Sequence, residues 1–462
     1  MRSGAAIIDL VDHVDLVTTE RVSESVQEEP VVTATRRKFI QTAAAATVGY
    51  AMLRDDAIER VSAAVNDAGD STPRDLAANE DFWFQVQQAY DVDRSIINLN
   101  NGGVAPAPRI VLDAMHRHVE ATNHLPPRQL WTVMDPQVET VRTGLARTFG
   151  CAVEEIAVVR NASEALETCL YGIDLQAGDE VLTTSYDYPR MVNTLKQREL
   201  REGIVLKQFP IPTPPDDPNE LVSLFERNIT PKTKILLVSH ITFINGQIFP
   251  VKKVVALGRK HGLEVIVDGA HAFGHFAFKH ADLDCDYYGT SLHKWLSAPI
   301  GTGFLYVRRS KIAGLWPLMA APEPQSDNIR KFEEIGTHPD APRLAVAEAL
   351  TFYESIGPER KEARLRYLRD RWARRLTQHG KVKLYTSLDP SQSCGIATMG
   401  IDGVTGDQLV DHLFERHRVF VTAIKHEHID GIRVTPNTYT TLREVDLFCE
   451  AIEAVLAHGL PV

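Results

Sequence analysis

The stretch Val265-Ile266-Val267-Asp268-Gly269-Ala270-His271, followed by Gly289-Thr290-Ser291-Leu292-His293-Lys294-Trp295, decides how this chain is read. Each apolar run is a buried strand that breaks into a loop just where a charged residue appears. The aspartate and lysine therefore stand at strand ends, 26 positions apart. In an open parallel sheet such side chains project from the carboxyl rim into a common crevice. A lysine there can form a Schiff base with an aldehyde cofactor. An aspartate can hold and protonate a pyridine nitrogen, so that the ring accepts electrons. Alone, each residue reads as an ordinary surface lysine or a helix cap; the pair in this order and context does not.

Outward from this pair, residues 156–159, 180–183, 203–207, 234–239, 263–267 and 287–289 read as short strands, with helices at 109–120 and 136–149. The alternation predicts an α/β domain with a mainly parallel sheet. Past 336–342 the pattern changes. Helices at 343–356 and 358–379 precede strands at 396–401, 419–424 and 431–434 and helices at 408–416 and 442–458, a smaller α+β domain. The expected organisation is a leader over 1–78, an N-terminal segment over 79–110, a large domain over 111–338 and a small C-terminal domain over 339–462.

The chain has 462 residues, 44% hydrophobic and 24% charged, which excludes a coiled coil, a collagen-like repeat, a disulfide-rich mini-protein and a disordered chain. Its net charge of -11 disfavours a nucleic-acid partner. Five widely separated cysteines form no zinc knuckle or redox pair, and the histidines form no short metal-ligand motif, so no metal is expected. A dinucleotide site would need a glycine-rich first turn, which is missing.

Near the N-terminus, Thr35-Arg36-Arg37-Lys38-Phe39-Ile40-Gln41 and the alanine-rich run after it resemble a twin-arginine export signal over 35–64, with cleavage near Val61-Ser62-Ala63-Ala64. The apolar run is too short to span a bilayer, so no stable transmembrane partner is expected. Use of the signal implies a periplasmic or exported protein; the alternative is a surface helix on a cytoplasmic one.

Val158-Val159-Arg160-Asn161-Ala162-Ser163-Glu164-Ala165 is a strand entering a helix, whose free amides and Ser163 hydroxyl suit a phosphate. A plain N-cap built on Asn161 is the alternative. Together these motifs resemble the class V, fold-type I pyridoxal-phosphate enzymes, especially the isopenicillin N epimerase-like and aminotransferase branch, over residues 79–460.

The resemblance implies a fold-type I transferase-like architecture, with pyridoxal 5'-phosphate on Lys294, Asp268 at the pyridine nitrogen and His271 near the ring. It puts Ala162, Ser163 and His293 at the phosphate and Tyr186 or Tyr188 stacked on the cofactor. It makes Gly336-Thr337 the element that reaches a neighbouring subunit, hence a homodimer. On the substrate side it implies Asn101, within Asn100-Asn101-Gly102-Gly103, and Arg433, within Gly431-Ile432-Arg433-Val434-Thr435-Pro436, as the carboxylate anchor. A guanidinium suits that role because it offers two parallel hydrogen bonds. His428 borders the same pocket.

Three departures bear on the reaction. Phe243 stands where many relatives place a cofactor-contacting asparagine, and Asn245 compensates only in a different local register. Leu292 replaces a smaller residue before the His-Lys pair. Residues 425–430 hold no cysteine, where desulfurases of this class place one, and Cys394 reads as structural. The expected activity is an aminotransferase acting on an amino acid or related amine. Epimerisation, with His428 or Tyr186 as the proton donor opposite Lys294, and lyase chemistry are the alternatives. A cofactor-bound transport or scaffold protein is disfavoured by the retained Lys294 and Asp268.

Overall fold

The computed structural model describes residues 57–460. The Arg36-Arg37 signal expected near the N-terminus lies outside the described residues, apart from its last few positions. Helix α1 (Ala57–Asp67), within the segment expected to be a leader over 1–78, buries Ala57 and Val61 in one cluster with Leu76, Trp83, Phe352 and Tyr439. Helices α2 (Pro73–Leu76) and α3 (Glu80–Gln87) follow, capped by Thr72 and Asn79, each of which accepts a backbone N–H of the first turn. The short strand β1 (Ile97–Asn98) then leads into the turn at 100–103.

After α4 (Arg109–His124) and α5 (Asp135–Phe149) the chain enters a 7-stranded sheet. Its members are β2 (Ile156–Val159), β3 (Glu180–Thr184), β4 (Val205–Phe209), β5 (Thr233–Ser239), β6 (Glu264–Asp268), β7 (Tyr287–Ser291) and β8 (Gly303–Val307). The spatial order is β2-β8-β7-β6-β5-β3-β4, and β8 runs antiparallel to both neighbours. All the other pairings are parallel, as the strand–helix alternation predicted.

Both faces of this sheet are covered, which explains why its strands read as unbroken apolar runs. Val158, Leu182, Leu236, Val238, Val265 and Val267 enter one core, while their neighbours Ala157, Val181, Ile235, Leu237 and Ile266 enter another. That is the two-residue alternation of a pleated strand. Between the strands lie α6 (Ala162–Gly172), α7 (Pro189–Glu202), α8 (Pro218–Asn228) and α9 (Val251–Lys260).

Helix α10 (Val346–Ile356) still packs into the large core through Val346, Ala349, Leu350 and Tyr353. The smaller α+β domain includes α11 (Pro358–Leu376). It contains β9 (Val382–Leu384), β10 (Ala397–Ile401), α12 (Gly406–His417), β11 (Val419–Phe420), β12 (Thr422–His426), β13 (Ile429–Val434) and α13 (Leu442–His458). Four of its strands form an antiparallel sheet ordered β12-β13-β10-β9. Strand β1 pairs in parallel with β11, so the N-terminal segment is stitched to this domain. Arg364 on α11 completes the seam: it donates to the Ala77 and Thr440 carbonyls and lies 5.3 Å over the Trp83 ring.

Candidate active site

The reactive side chains all leave the carboxyl ends of strands. Asp268 is the last residue of β6, Lys294 follows β7 by three residues, and Asp187 follows β3 by three. The Asp268 carboxyl is buried and accepts the Ala270 amide at 2.9 Å. Burial, opposed by that hydrogen bond and by Lys294, pushes it up to about 6. Gly269, next in the chain, leaves room for Tyr288: a Cβ there would come within 1.9 Å of that ring.

Lys294 is lowered to about 8, mainly by desolvation and also by Arg433, against the pull of Asp268. Its Nζ lies 3.1 Å from Nε2 of His271. The Trp295 indole, which can only donate, points at His271 Nδ1 from 3.4 Å. This network assigns the imidazole proton to Nε2. Burial holds the ring neutral, well below the usual histidine range. An Nε2–H can bond only to an unprotonated amine, so His271 favours the nucleophilic form of Lys294.

At the other end of the site, Ala162 and Ser163 open α6, where backbone amides lack a carbonyl one turn back. Asn161 caps the Glu164 amide, and the Ala162 amide donates to Ser291 Oγ at 3.0 Å. His293 Nδ1 is buried without a hydrogen-bond partner, and its ring is pushed low by burial and by Lys294. The Ala105 amide donates to the His293 carbonyl, which ties the N-terminal segment to the lysine loop.

Arg433 sits one residue from the end of β13, opposite Thr398 on one side and Thr422 on the other. It is buried, with Nη1 donating to the Phe243 carbonyl and Nη2 to Asn100 Oδ1, both at 2.9 Å. Its Nε has no partner, and no carboxylate pairs with it among the described residues. Desolvation lowers it to about 10. A buried guanidinium with only neutral acceptors is costly until an anion arrives.

Several expected site residues sit elsewhere. The Asn101 amide is consumed by the carbonyls of Asn98 and Thr435 and the Tyr439 hydroxyl; Asn100 is the asparagine that meets Arg433. Tyr186 is fully buried, its phenol accepting from Thr213 and its ring edge-on to His426. Tyr188 is the tyrosine beside Lys294, 6.0 Å from Nζ to ring centre. His428 is exposed at the tip of the β12–β13 hairpin, five residues and roughly 16 Å along the chain from Arg433. It does not border the pocket. Asn245 bonds to Thr242 and to the Tyr385 carbonyl, so it does not compensate for Phe243, whose ring packs edge-on against Tyr188. Gly336 and Thr337 are exposed in a loop. Cys394 is buried and pushed up to about 12.

Asp187 was not expected from the sequence. Its buried carboxyl accepts from the hydroxyls of Thr183, Thr184 and Ser239 and from the Thr184 amide, at 2.5–2.9 Å, and forms no ion pair among the described residues. Nothing in the sequence distinguishes it from a loop acid, because its donors come from two different strands.

A strand-end lysine and aspartate, a helix N-terminus and a carboxylate-seeking arginine on this fold define a fold-type I pyridoxal-phosphate-dependent enzyme. Residues 97–447 match the family described as Aminotransferase class-V, and the chain belongs to it. It is 28% identical over 398 residues to an isopenicillin N epimerase from Streptomyces clavuligerus, spanning 81% of this chain and 98% of that protein. The isopenicillin N epimerase of Amycolatopsis lactamdurans is also 28% identical, over 80% of this chain and 98% of its own length. Among solved structures, the fold is shared with the Escherichia coli cysteine desulfurase CsdA. The TM-score is 0.72 at 19% identity, covering 81% of this chain and 98% of that one.

The residues present fit pyridoxal phosphate. Asp268 is a buried carboxyl raised by desolvation, which a cationic ring nitrogen would relieve, and the start of α6 offers the Ser163 amide and hydroxyl to a phosphate.

Proposed function

We propose that this protein inverts the configuration of an amino acid at its α-carbon. The observation that carries the reading is the make-up of the pocket: a guanidinium with no anion of its own, a lysine biased toward its neutral form, and no thiol beside them. The relatives matched over 98% of their length are epimerases, which supports inversion ahead of the aminotransfer favoured from the sequence.

In this reading Arg433 binds the substrate carboxylate with its two outer nitrogens and Asn100 keeps the guanidinium plane fixed. The Lys294 amine takes the α-proton. The His271 Nε2–H bonds only to the unprotonated amine and so favours the form of Lys294 that takes the proton. Asp268 would hold the pyridine nitrogen of pyridoxal phosphate and keep it protonated. Bound pyridoxal phosphate supplies the electron sink that makes the α-proton acidic. Ala162, Ser163 and His293 would hold its phosphate. We also read Gly336 and Thr337 as a contact to a second copy of the chain, which light scattering on the purified protein tests.

The deciding experiment incubates the cofactor-loaded protein with single enantiomers of the common amino acids, without a keto-acid acceptor, and separates the products on a chiral column. Appearance of the mirror-image amino acid is expected. Stoichiometric keto acid would return the assignment to aminotransfer, and cleaved side chains would make it a lyase.

A further inference from the structure

We propose that His275 is a positioning residue of this site: it fixes Trp295, and through Trp295 it decides which nitrogen of His271 presents a proton to Lys294. The proposal rests on the reading of Lys294 as the cofactor lysine. It concerns how that amine is kept ready, whatever reaction follows.

The contacts run without a break. His275 is fully buried, four residues after His271, and its Nδ1 lies 2.8 Å from the His271 carbonyl. On the other side of the ring, Nε2 receives the Gly395 amide at 2.8 Å. A backbone N–H can only donate, so Nε2 is the bare nitrogen and Nδ1 carries the proton that the His271 carbonyl accepts. Turning the ring over would forfeit both bonds. Burial keeps the ring neutral, well below the usual histidine range; the bond to the His271 carbonyl opposes this, and Arg366, Lys361 and Arg369 of α11 reinforce it.

The ring so locked lies flat against the Trp295 indole, with 3.6 Å between centres and 4° between planes. That stack sets the plane of the indole, while Lys361, buried on α11, donates to the Trp295 carbonyl and holds its backbone. The indole N–H is thereby aimed at His271 Nδ1 from 3.4 Å. At that length the bond is weak, so its direction depends on what holds the indole. His271 is left with one arrangement, Nδ1 accepting and Nε2–H toward the Lys294 amine 3.1 Å away. In the other tautomer a bare Nε2 would face Lys294 and accept from its ammonium form, strengthening the lysine's hold on its proton. Asp268 and Arg433 also act on Lys294, in opposite directions, and variants at 275 and 295 leave both in place.

The test follows attachment of pyridoxal phosphate to the cofactor-free chain across pH, by visible absorbance, in wild type, His275→Phe, Trp295→Phe and the double variant, with the Tm of each. Wild type should reach half its limiting rate at about pH 8. His275→Phe keeps a flat ring but neither hydrogen bond, and should move that midpoint up by about one pH unit, the scale of one hydrogen bond to a charged group. Trp295→Phe, which lacks the indole N–H, should do the same. The double variant should move no further than either single one, because both changes reach His271 by one route. His275→Asn, smaller and unable to stack, repeats the measurement if the phenylalanine prevents folding. A folded variant at 275 whose midpoint stays near 8 overturns the proposal and makes His275 a packing residue, whatever its Tm. Shifts that add in the double variant overturn it as well. Undiminished attachment in Lys294→Ala would instead remove the reading of Lys294 itself.

Discussion

The amine of Lys294 and Nε2 of His271 are 3.1 Å apart, and the proton between them belongs to the imidazole because Trp295 donates to its other nitrogen. The lysine is therefore approached by a neutral donor rather than by an acid. With burial acting in the same direction, its ordinary affinity for a proton is lost.

The first expectation concerns pH. Free lysine loses its proton near 10.4, whereas Lys294 does so at about 8. The neutral amine is the reactive form, so attachment of pyridoxal phosphate to the cofactor-free chain should accelerate as pH rises and level off just above 8. Stopped-flow visible absorbance reads this directly. A rate still climbing at pH 10 would refute the depressed value, and Lys294→Ala should show no attachment.

Arg433 should govern recognition of the carboxylate. Two charge-assisted hydrogen bonds contribute about 3 kcal/mol together, so Arg433→Ala should lower kcat/KM for amino acids by about 10²-fold. The corresponding amines, lacking a carboxylate, should be processed as before. Equal losses for both substrate types would place the arginine's role elsewhere.

A chain beginning at Asn79 should be measurably less stable than one beginning at Asp55. It lacks Val61 and Leu76, and it strands the Trp83 indole, which donates to the Leu76 carbonyl at 2.7 Å, and the Arg364 donor to Ala77. The combined cost is about 5 kcal/mol, seen as a lower Tm. Equal melting temperatures would mean that α1 and α2 contribute nothing to the body.

Cys394 should be chemically silent. Its thiol lies 3.9 Å from the His275 carbonyl inside a closed cluster, and burial raises it to about 12. Cys394→Ala should retain turnover, and thiol reagents should label the position only after unfolding. Rapid labelling of the folded protein would reopen sulfur chemistry.

The parallel strands were legible because their apolar runs end at residues with obvious chemistry, as at Asp268. Strand β8 was not: no strand was read after Lys294 in the large domain, and only the fold shows why Gly303 must be small, since a Cβ would lie 2.7 Å from the Asn161 backbone. Choices between near neighbours were also beyond one-dimensional reading. Asn100 and Asn101 differ by which one Thr435 and Tyr439 claim, and Tyr186 and Tyr188 point to opposite environments across a single residue. His428 lies close to Arg433 in sequence, but the extended β13 carries it to the far end of the strand.

Arg433 belongs to the small antiparallel sheet and Lys294 to the loop after β7 of the large one. The handle that grips a substrate and the tool that works on it are thus mounted on different frames. Under the proposed function, changes around β10 and β13 alter what surrounds Arg433 without touching the loop that carries Lys294.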